Sequence, residues 1–155
     1  VLAGLAILGL IYVLFVLLKR RRENRPVFGK PVVQDPPHIV ALRNLEKIRE
    51  QKLWQSNKEK EFYTEVTETM REYIESRYNL PTFEKTTAEI MDSLVGVGAQ
   101  GEEFEELKEM FSVADLVKFA KYKATEAENE RAIPVAVRYV NATYITKIEE
   151  ESDNG

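Results

Sequence analysis

The residues of this sequence whose types could carry out chemistry are few and scattered. The chain has a single histidine, His38, which follows two prolines, and it has no cysteine. One imidazole is too little for a catalytic or metal-binding cluster, and a chain without thiols forms no disulfides, thiolate metal sites or cysteine nucleophiles. We therefore expect His38 to have a structural or surface role.

The densest group of carboxylates lies between residues 102 and 109, and it includes five glutamates. Helical spacing puts Glu102, Glu106 and Glu109 on one face. Di-iron helical bundles combine such glutamates with Glu-x-x-His motifs, and no Glu-x-x-His occurs in this chain. The run therefore predicts a solvated helix face.

Two other patterns that bind ligands in some proteins are incomplete here. The glycine pair in Gly96-Val97-Gly98 lacks the lysine and the hydroxyl residue of a phosphate-binding loop and follows no strand pattern. The aromatic residues at helical spacing, which we expect to pack in a core, are Trp54, Phe62, Tyr63, Tyr73 and Tyr78. The sequence thus predicts a protein that is not an enzyme, with no cofactor, no metal and no small-molecule substrate.

The first 18 residues carry no charge and are almost all aliphatic or aromatic, and Lys19, Arg20, Arg21 and Arg22 follow them directly. As a helix this run measures roughly 27 Å, close to the thickness of the hydrocarbon core of a bilayer. A secretory signal has its cations before the apolar run, and a buried core helix has a polar stripe. The pattern favours a transmembrane helix over both, with the four cations orienting the rest of the chain towards the cytoplasm.

Charge is divided unevenly along the chain. Residues 19–25 contain five Lys or Arg and one Glu, net +4, which leaves −8 for residues 26–155 in a chain of net charge −4. The basic strip is expected to attract anionic membrane lipid at about 1 kcal/mol per charge. The acidic remainder argues against a nucleic-acid partner.

The rest of the chain divides into a linker, a folded part and a tail. Residues 19–35 contain Pro26 and Pro31, and they predict a basic juxtamembrane segment and linker. Helical periodicity extends over residues 36–148. The acidic residues 149–155 are expected to form a disordered tail.

Four predicted helix starts carry a capping signal, in which side-chain oxygens accept the unpaired backbone N–H groups of the first turn. These are Asp35 before Pro36-Pro37, and the boxes Ser56-x-x-Glu59, Thr86-x-x-Glu89 and Thr125-x-x-Glu128. Apolar residues recur at three- and four-residue steps after each start, and no strand-period alternation appears. The sequence predicts an all-α protein in which the transmembrane helix precedes a small bundle of about five helices.

Two sets of side chains are candidate contacts for a protein partner. Trp54 lies at the junction of the first two predicted helices, where an indole either closes the bundle or anchors a partner. The second set lies beside Phe119 and Tyr122 and forms either a docking edge or an ordinary solvated face. It consists of Asp115, Lys118, Lys121 and Lys123.

Short elements spaced along the chain resemble a family of bacterial membrane proteins. They are Pro36-Pro37-His38, Ala41-Leu42, Leu45, Leu53-Trp54, Phe62-Tyr63, Arg71, Tyr73-Ile74, Arg77-Tyr78, Thr86-Thr87-x-Glu89-Ile90 and Asp115-Leu116-Val117-Lys118-Phe119-Ala120. In this order they are similar to the Bat aerotolerance-operon membrane proteins, specifically to the C-terminal part of the BatD type of oxygen-tolerance protein. The resemblance covers residues 1 to about 146 and implies one membrane helix followed by a cytoplasmic helical domain.

The resemblance also implies partners and a place in the cell. The genes of this family lie beside those of a MoxR-type AAA+ ATPase and of von Willebrand A domain proteins, which implies an adaptor at the bacterial inner membrane in envelope stress or oxygen tolerance. Because the chain starts at Val1, inside the apolar run, we expect a further part upstream. An alternative is therefore an accessory subunit of a membrane hydrolase or transporter whose chemistry lies in that part. A third hypothesis, a metal or redox oxygen sensor, has only the family name in its favour.

Overall fold

The computed structural model describes Tyr12 and residues 35–153, without the side chains of residues 145–150. Internal contacts divide the chain into two compact units, Val1–Gln34 and Asp35–Gly155. The predicted transmembrane helix lies outside the described residues, apart from Tyr12, which is helical and exposed. Residues 19–34 of the predicted juxtamembrane segment and linker, with the cations Lys19, Arg20, Arg21 and Arg22, also lie outside them. Within the described part, no helix combines the length and the apolar character that a membrane crossing requires.

The second unit is built from helices. Its five α-helices are α1 (Pro37–Gln51), α2 (Glu59–Tyr78), α3 (Thr87–Gly96), α4 (Glu102–Phe119) and α5 (Glu126–Asp153), and a 3-10 turn, Trp54–Ser56, lies between α1 and α2. Residues 35–153 contain no strand, which confirms the prediction of an all-α bundle of about five helices. The last helix continues to Asp153, so residues 149–153, predicted as part of a disordered tail, are helical.

Four of the helices form a bundle in which neighbours run antiparallel. α2 packs between α1 and α4, and α5 closes the ring by packing against α4 and α1. Lys118 at the end of α4 bonds to Thr67 in the first half of α2, whereas Phe104 at the start of α4 shares a cavity with Tyr78 at the end of α2. The short helix α3 lies in the connection between α2 and α4 and packs on α4.

The apolar faces of these helices meet in one core. Its largest fully buried side chains are Tyr63, Tyr139, Phe62, Phe111, Leu45, Met70, Ile74, Ile90, Leu94, Leu107, Val66 and Val140. Burying an apolar side chain of this size contributes about 1.5–3 kcal/mol to folding. The predicted aromatic core is confirmed for Phe62, Tyr63 and Tyr73, whereas Leu116 and Phe119, which lie off the buried face of α4, are exposed.

Two of the four predicted helix caps are present. Glu89 N–H donates to Thr86 Oγ1 at 3.3 Å, and Thr86 N–H donates to the Glu89 carboxylate at 2.8 Å. The same reciprocal pair joins Thr125 and Glu128, at 3.2 Å and 2.7 Å. These hydrogen bonds lower the pKa of both glutamates, because they favour the charged form.

The other two predicted caps are wrong. α1 begins after Pro36 without a side-chain cap, and the Asp35 carboxylate instead accepts a hydrogen bond from Arg43 at 2.8 Å. Ser56 ends the 3-10 turn, and α2 begins three residues later at Glu59. The Glu59 carboxylate is therefore not part of a capping box.

Candidate functional site

Three large apolar side chains that the core leaves uncovered line one open groove of about 800 Å³ between the α2–α3 connection and the end of α4. Phe83, Leu116 and Phe119 are 52%, 47% and 79% exposed. Leu116 and Phe119 are three residues apart on α4 and so share one helix face. Single exposed apolar residues are ordinary on protein surfaces, but a group that shares one groove is a candidate contact surface.

Arg71 of α2 holds the loop that carries Phe83. Its Nη1 donates to the carbonyl oxygens of Thr82 at 2.7 Å and Lys85 at 2.9 Å. Thr82 Oγ1 donates back to the Arg71 carbonyl at 2.9 Å, and the Thr82 N–H donates to the Glu75 carboxylate at 3.3 Å. Burial lowers the pKa of Arg71. The loop is thus positioned by hydrogen bonds to a partly buried cation, and Phe83 is not needed to pack it.

Asp115 and Lys118, two of the residues predicted as a docking edge, meet beside this groove. The Lys118 side chain is only 12% exposed, and its Nζ lies 3.9 Å from Asp115 Oδ1. The same Nζ donates to Thr67 Oγ1 at 3.2 Å and lies 5.3 Å from the centre of the Phe119 ring. Burial lowers the pKa of Lys118. Lys118 therefore joins α4 to α2, while Asp115 lines the groove.

The other two predicted contacts, Lys121 and Trp54, do not line the groove. Lys121 is exposed in the turn after α4, with φ +54°. Trp54 is half-buried and packs against the core, and it lines a separate cavity with Phe62 and Pro134. Of the two roles expected for Trp54, this packing fits the one in which the indole closes the bundle. The structure therefore brings Asp115 and Lys118 together beside the groove, and it places Trp54 and Lys121 elsewhere.

Three further residues build the groove; Arg71 and Thr87 belong to the family resemblance but were not predicted as contacts, and Phe83 was not singled out at all. Phe83 lies in the loop between α2 and α3, where no helical periodicity predicts the position of a side chain. Arg71 lies on a helix among other polar residues. Thr87 lines the groove, and its Oγ1 is buried without a hydrogen-bond partner in the described part of the chain. A buried hydroxyl of this kind is costly unless a bound group or water satisfies it.

The residues considered for chemistry have other surroundings. His38 stacks on Tyr144 with ring centres 3.6 Å apart. Of the α4 glutamates, Glu102 and Glu109 are exposed, as a solvated face requires. Among the described residues, no three His, Cys, Asp or Glu are grouped so that they could hold a metal ion.

Glu106 is an exception to the predicted solvated face of the α4 glutamates. Its side chain is 15% exposed, and it lies 2.9 Å from Arg138 and 3.5 Å from Arg131 on α5. Both arginines are more than half exposed. Glu106 therefore links α4 to α5 instead of facing solvent.

No family model, curated protein or solved structure matches this sequence. The resemblance to the Bat-operon proteins consequently stays a prediction that rests on the quoted residues.

Proposed function

We propose that this chain is a non-catalytic adaptor whose helical bundle binds a protein partner through the groove of Phe83, Leu116 and Phe119. The observation that carries this proposal is the exposure of all three side chains along one groove whose wall is fixed by Arg71. A binding surface needs apolar side chains that remain exposed to solvent. A loop held by hydrogen bonds keeps its apolar side chain exposed, and its rigidity also reduces the entropy lost on binding.

The composition of the groove is that of a protein interface. Two aromatic rings and a leucine form an apolar centre, and the groove is also lined by Asp115, Glu84 and Lys85. An apolar centre with a polar rim is the usual anatomy of such interfaces, and aromatic residues are frequent among those that dominate the binding energy.

The resemblance described above supports a specific partner and place. It favours a MoxR-type AAA+ ATPase or a von Willebrand A domain protein as the partner, in bacterial envelope stress or oxygen tolerance. The apolar run of residues 1–18 and the cations Lys19 to Arg22 support anchoring in the inner membrane with the bundle in the cytoplasm. In this proposal the anchor sets the location and the groove recruits the partner.

The test measures binding of the purified ATPase and of the von Willebrand A domain protein to the full chain in detergent micelles. We expect Phe119→Ser and Leu116→Ser each to weaken binding by about tenfold or more, as for central interface residues. Both side chains are exposed, so the folded state should be retained, which far-ultraviolet circular dichroism checks.

The matched controls are Val95→Ser and Val97→Ser, which remove exposed apolar side chains of 57% and 47% exposure outside the groove. They should leave the affinity unchanged. Equal binding by the groove variants and the wild-type chain would refute the groove as the site. Absence of binding by either candidate protein would refute the partners drawn from the resemblance.

A further inference from the structure

The cavity beside Trp54 is lined by a buried amide group that the described part of the chain does not satisfy. This Trp54 cavity has a volume of about 240 Å³ and lies between the end of α1, the 3-10 turn and the first turns of α2 and α5. Asn129 lines it and is 6% exposed, and the Asn129 Oδ1 is buried without a hydrogen-bond partner among the described residues. A buried acceptor without a donor is unfavourable, so a bound group that donates to it stabilises this arrangement.

A second acceptor beside the same cavity lacks its donor for a different reason. Pro134 is the ninth residue of α5, and it lines the cavity together with Glu130. In a regular helix the N–H of residue 134 donates to the Glu130 carbonyl, but proline has no N–H. Proline in a helix interior is destabilising, and such departures from local preference are expected at functional sites. The proline leaves this carbonyl oxygen without its regular donor.

Aromatic and aliphatic side chains form the rest of the wall. Trp54 is half-buried, and it lines the cavity with Ile48, Phe62 and Ile133. An apolar cavity of about 150 Å³ holds a benzene molecule, so the Trp54 cavity has room for a planar group and a short alkyl stem. Trp54 was one of the candidate partner contacts in the sequence, and the groove does not use it.

Charge around the cavity is nearly balanced and does not select the ligand. Residues 46–59 and 126–131, which include most of its lining, contain six Glu and five Lys or Arg. Arg49 lines the cavity and is paired with Glu46 at 2.5 Å. The Glu130 side chain is exposed and forms no ion pair among the described residues. Selection therefore rests on the unpaired acceptors and on the indole ring, with Glu130 as a counter-charge.

We propose that the Trp54 cavity binds the guanidinium group of an arginine side chain or of a free guanidino compound. A guanidinium has five N–H donors in one plane and no acceptor, and it stacks on indole rings. These properties match the Asn129 Oδ1, the Glu130 carbonyl and the Trp54 ring. A lysine ammonium is more strongly hydrated and lacks the planar fork. The inference is independent of the groove, whose lining includes neither Trp54 nor Asn129.

The test uses Trp54 as its reporter, because it is the single tryptophan of the chain and lines the cavity. Its fluorescence is followed for the full chain in detergent micelles during titration with N-acetyl-arginine amide. We expect a saturable change with a Kd of about 1 mM, as for one side chain without a protein around it. The citrulline analogue has the same shape, but an oxygen acceptor replaces one nitrogen donor and the charge is lost. It and the lysine analogue should each bind at least about tenfold more weakly.

Two variants separate binding from stability. Asn129→Leu should weaken binding by about tenfold or more, and the urea midpoint of unfolding should not fall, because the lost acceptor had no partner. Pro134→Ala restores the N–H that the Glu130 carbonyl lacks, so it should raise the urea midpoint and weaken binding severalfold. The matched control is Asn141→Leu, an exposed position of α5 outside the cavity, which should leave the affinity unchanged.

A second titration identifies the source of the guanidinium. It compares the peptide acetyl-Gly-Gly-Arg-Gly-Gly-amide with ethylguanidine, which has no peptide unit. Tighter binding of the peptide assigns the cavity to an arginine of a protein partner, and equal or tighter binding of ethylguanidine assigns it to a free guanidino compound. Either result supports the proposal.

Three results overturn it: no saturable change, equal binding of the arginine and citrulline compounds, or unaltered binding by the Asn129→Leu protein. Each would leave water as the group that the Asn129 amide binds. Phe119→Ser, which removes a groove residue, should not alter the titration, so failure of this proposal and failure of the groove are distinguishable.

Discussion

Two faces of α4 carry the same apolar residue types, and the bundle treats them in opposite ways. Leu107 and Phe111 lie on the face that Ala114 continues, and all three are completely buried. Leu116 and Phe119 are 47% and 79% exposed. At about 100° per residue, Leu116 lies on the side of the helix opposite Leu107, so the difference comes from what the rest of the bundle places against each face.

Different contacts surround the two faces. On the buried face, apolar side chains of the core pack around Leu107 and Phe111. Beside Leu116 and Phe119 lies the loop of residues 79–86, which Arg71 holds in place through hydrogen bonds to the Thr82 and Lys85 carbonyls. The comparison teaches that one face of α4 packs in the core along the whole helix, whereas the other face lines an open groove near the end of the helix.

The sharpest test of this difference makes the same substitution on each face. Leu107→Ala should lower the free energy of unfolding by about 2–5 kcal/mol, because it leaves a cavity in the core. Leu116→Ala should lower it by less than about 1 kcal/mol, because half of the side chain is already in solvent. Urea unfolding of the full chain in detergent measures both. Similar losses for the two variants would show that both faces of α4 contribute to stability alike, contrary to this comparison.

A second test removes the cation that holds the groove wall. Arg71→Met should lower the free energy of unfolding by about 1–3 kcal/mol, since two carbonyl oxygens lose their donor. The effect should be local, so hydrogen exchange of the amides in residues 79–86 should become faster than elsewhere.

The control for this test is Arg49→Met, which breaks an exposed pair with Glu46 on α1. Exposed ion pairs contribute little, so this change should cost less than about 0.5 kcal/mol and leave exchange at residues 79–86 unaltered. Unchanged exchange in the Arg71→Met protein would mean that the loop is held by packing, contrary to the contrast drawn above.

Periodicity in the sequence was sufficient to predict the helices and most of the core. It could not predict the groove, because Leu116 and Phe119 lie off the α4 face that the repeat places in the core, and no local pattern shows which loop lies beside them. Asp115 and Lys118 were predicted as a docking edge, and the structure places them beside the groove. Phe83 was missed because its loop has no repeat.

The helix-capping signals also show what a local sequence pattern can and cannot predict. Thr86 and Thr125 form their predicted boxes because the helix begins directly after each of them. Ser56 does not, because the chain remains in a 3-10 turn through this residue and α2 starts only at Glu59. The Glu59 side chain then bonds to Ala124, which is distant in sequence. A local sequence pattern can predict a hydrogen bond between neighbouring residues. It cannot predict a bond such as that between Glu59 and Ala124, whose partners are far apart in the sequence.

The smallest expected effect concerns Lys118, which lies in the second half of α4. Lys118→Met keeps the shape of the side chain and removes a charge that is largely buried. We expect the free energy of unfolding to change by less than about 1 kcal/mol, because the lost bonds to Thr67 and Asp115 are offset by the lost desolvation of the ammonium group.

The pH dependence separates these two contributions. Because folding lowers the pKa of Lys118, the unfolded chain binds this proton more tightly than the folded protein does. The contribution of Lys118 to stability is therefore least favourable below its folded pKa and improves as the pH rises towards its ordinary value of 10.5. The variant lacks this improvement. The free energy of unfolding of the wild-type protein, measured with urea and compared with that of the variant, should therefore be more favourable at about pH 9.5 than at about pH 7. A loss of more than about 3 kcal/mol at neutral pH would instead make Lys118 a structural requirement, and its bond to Thr67 would then be essential to the packing of α4 on α2.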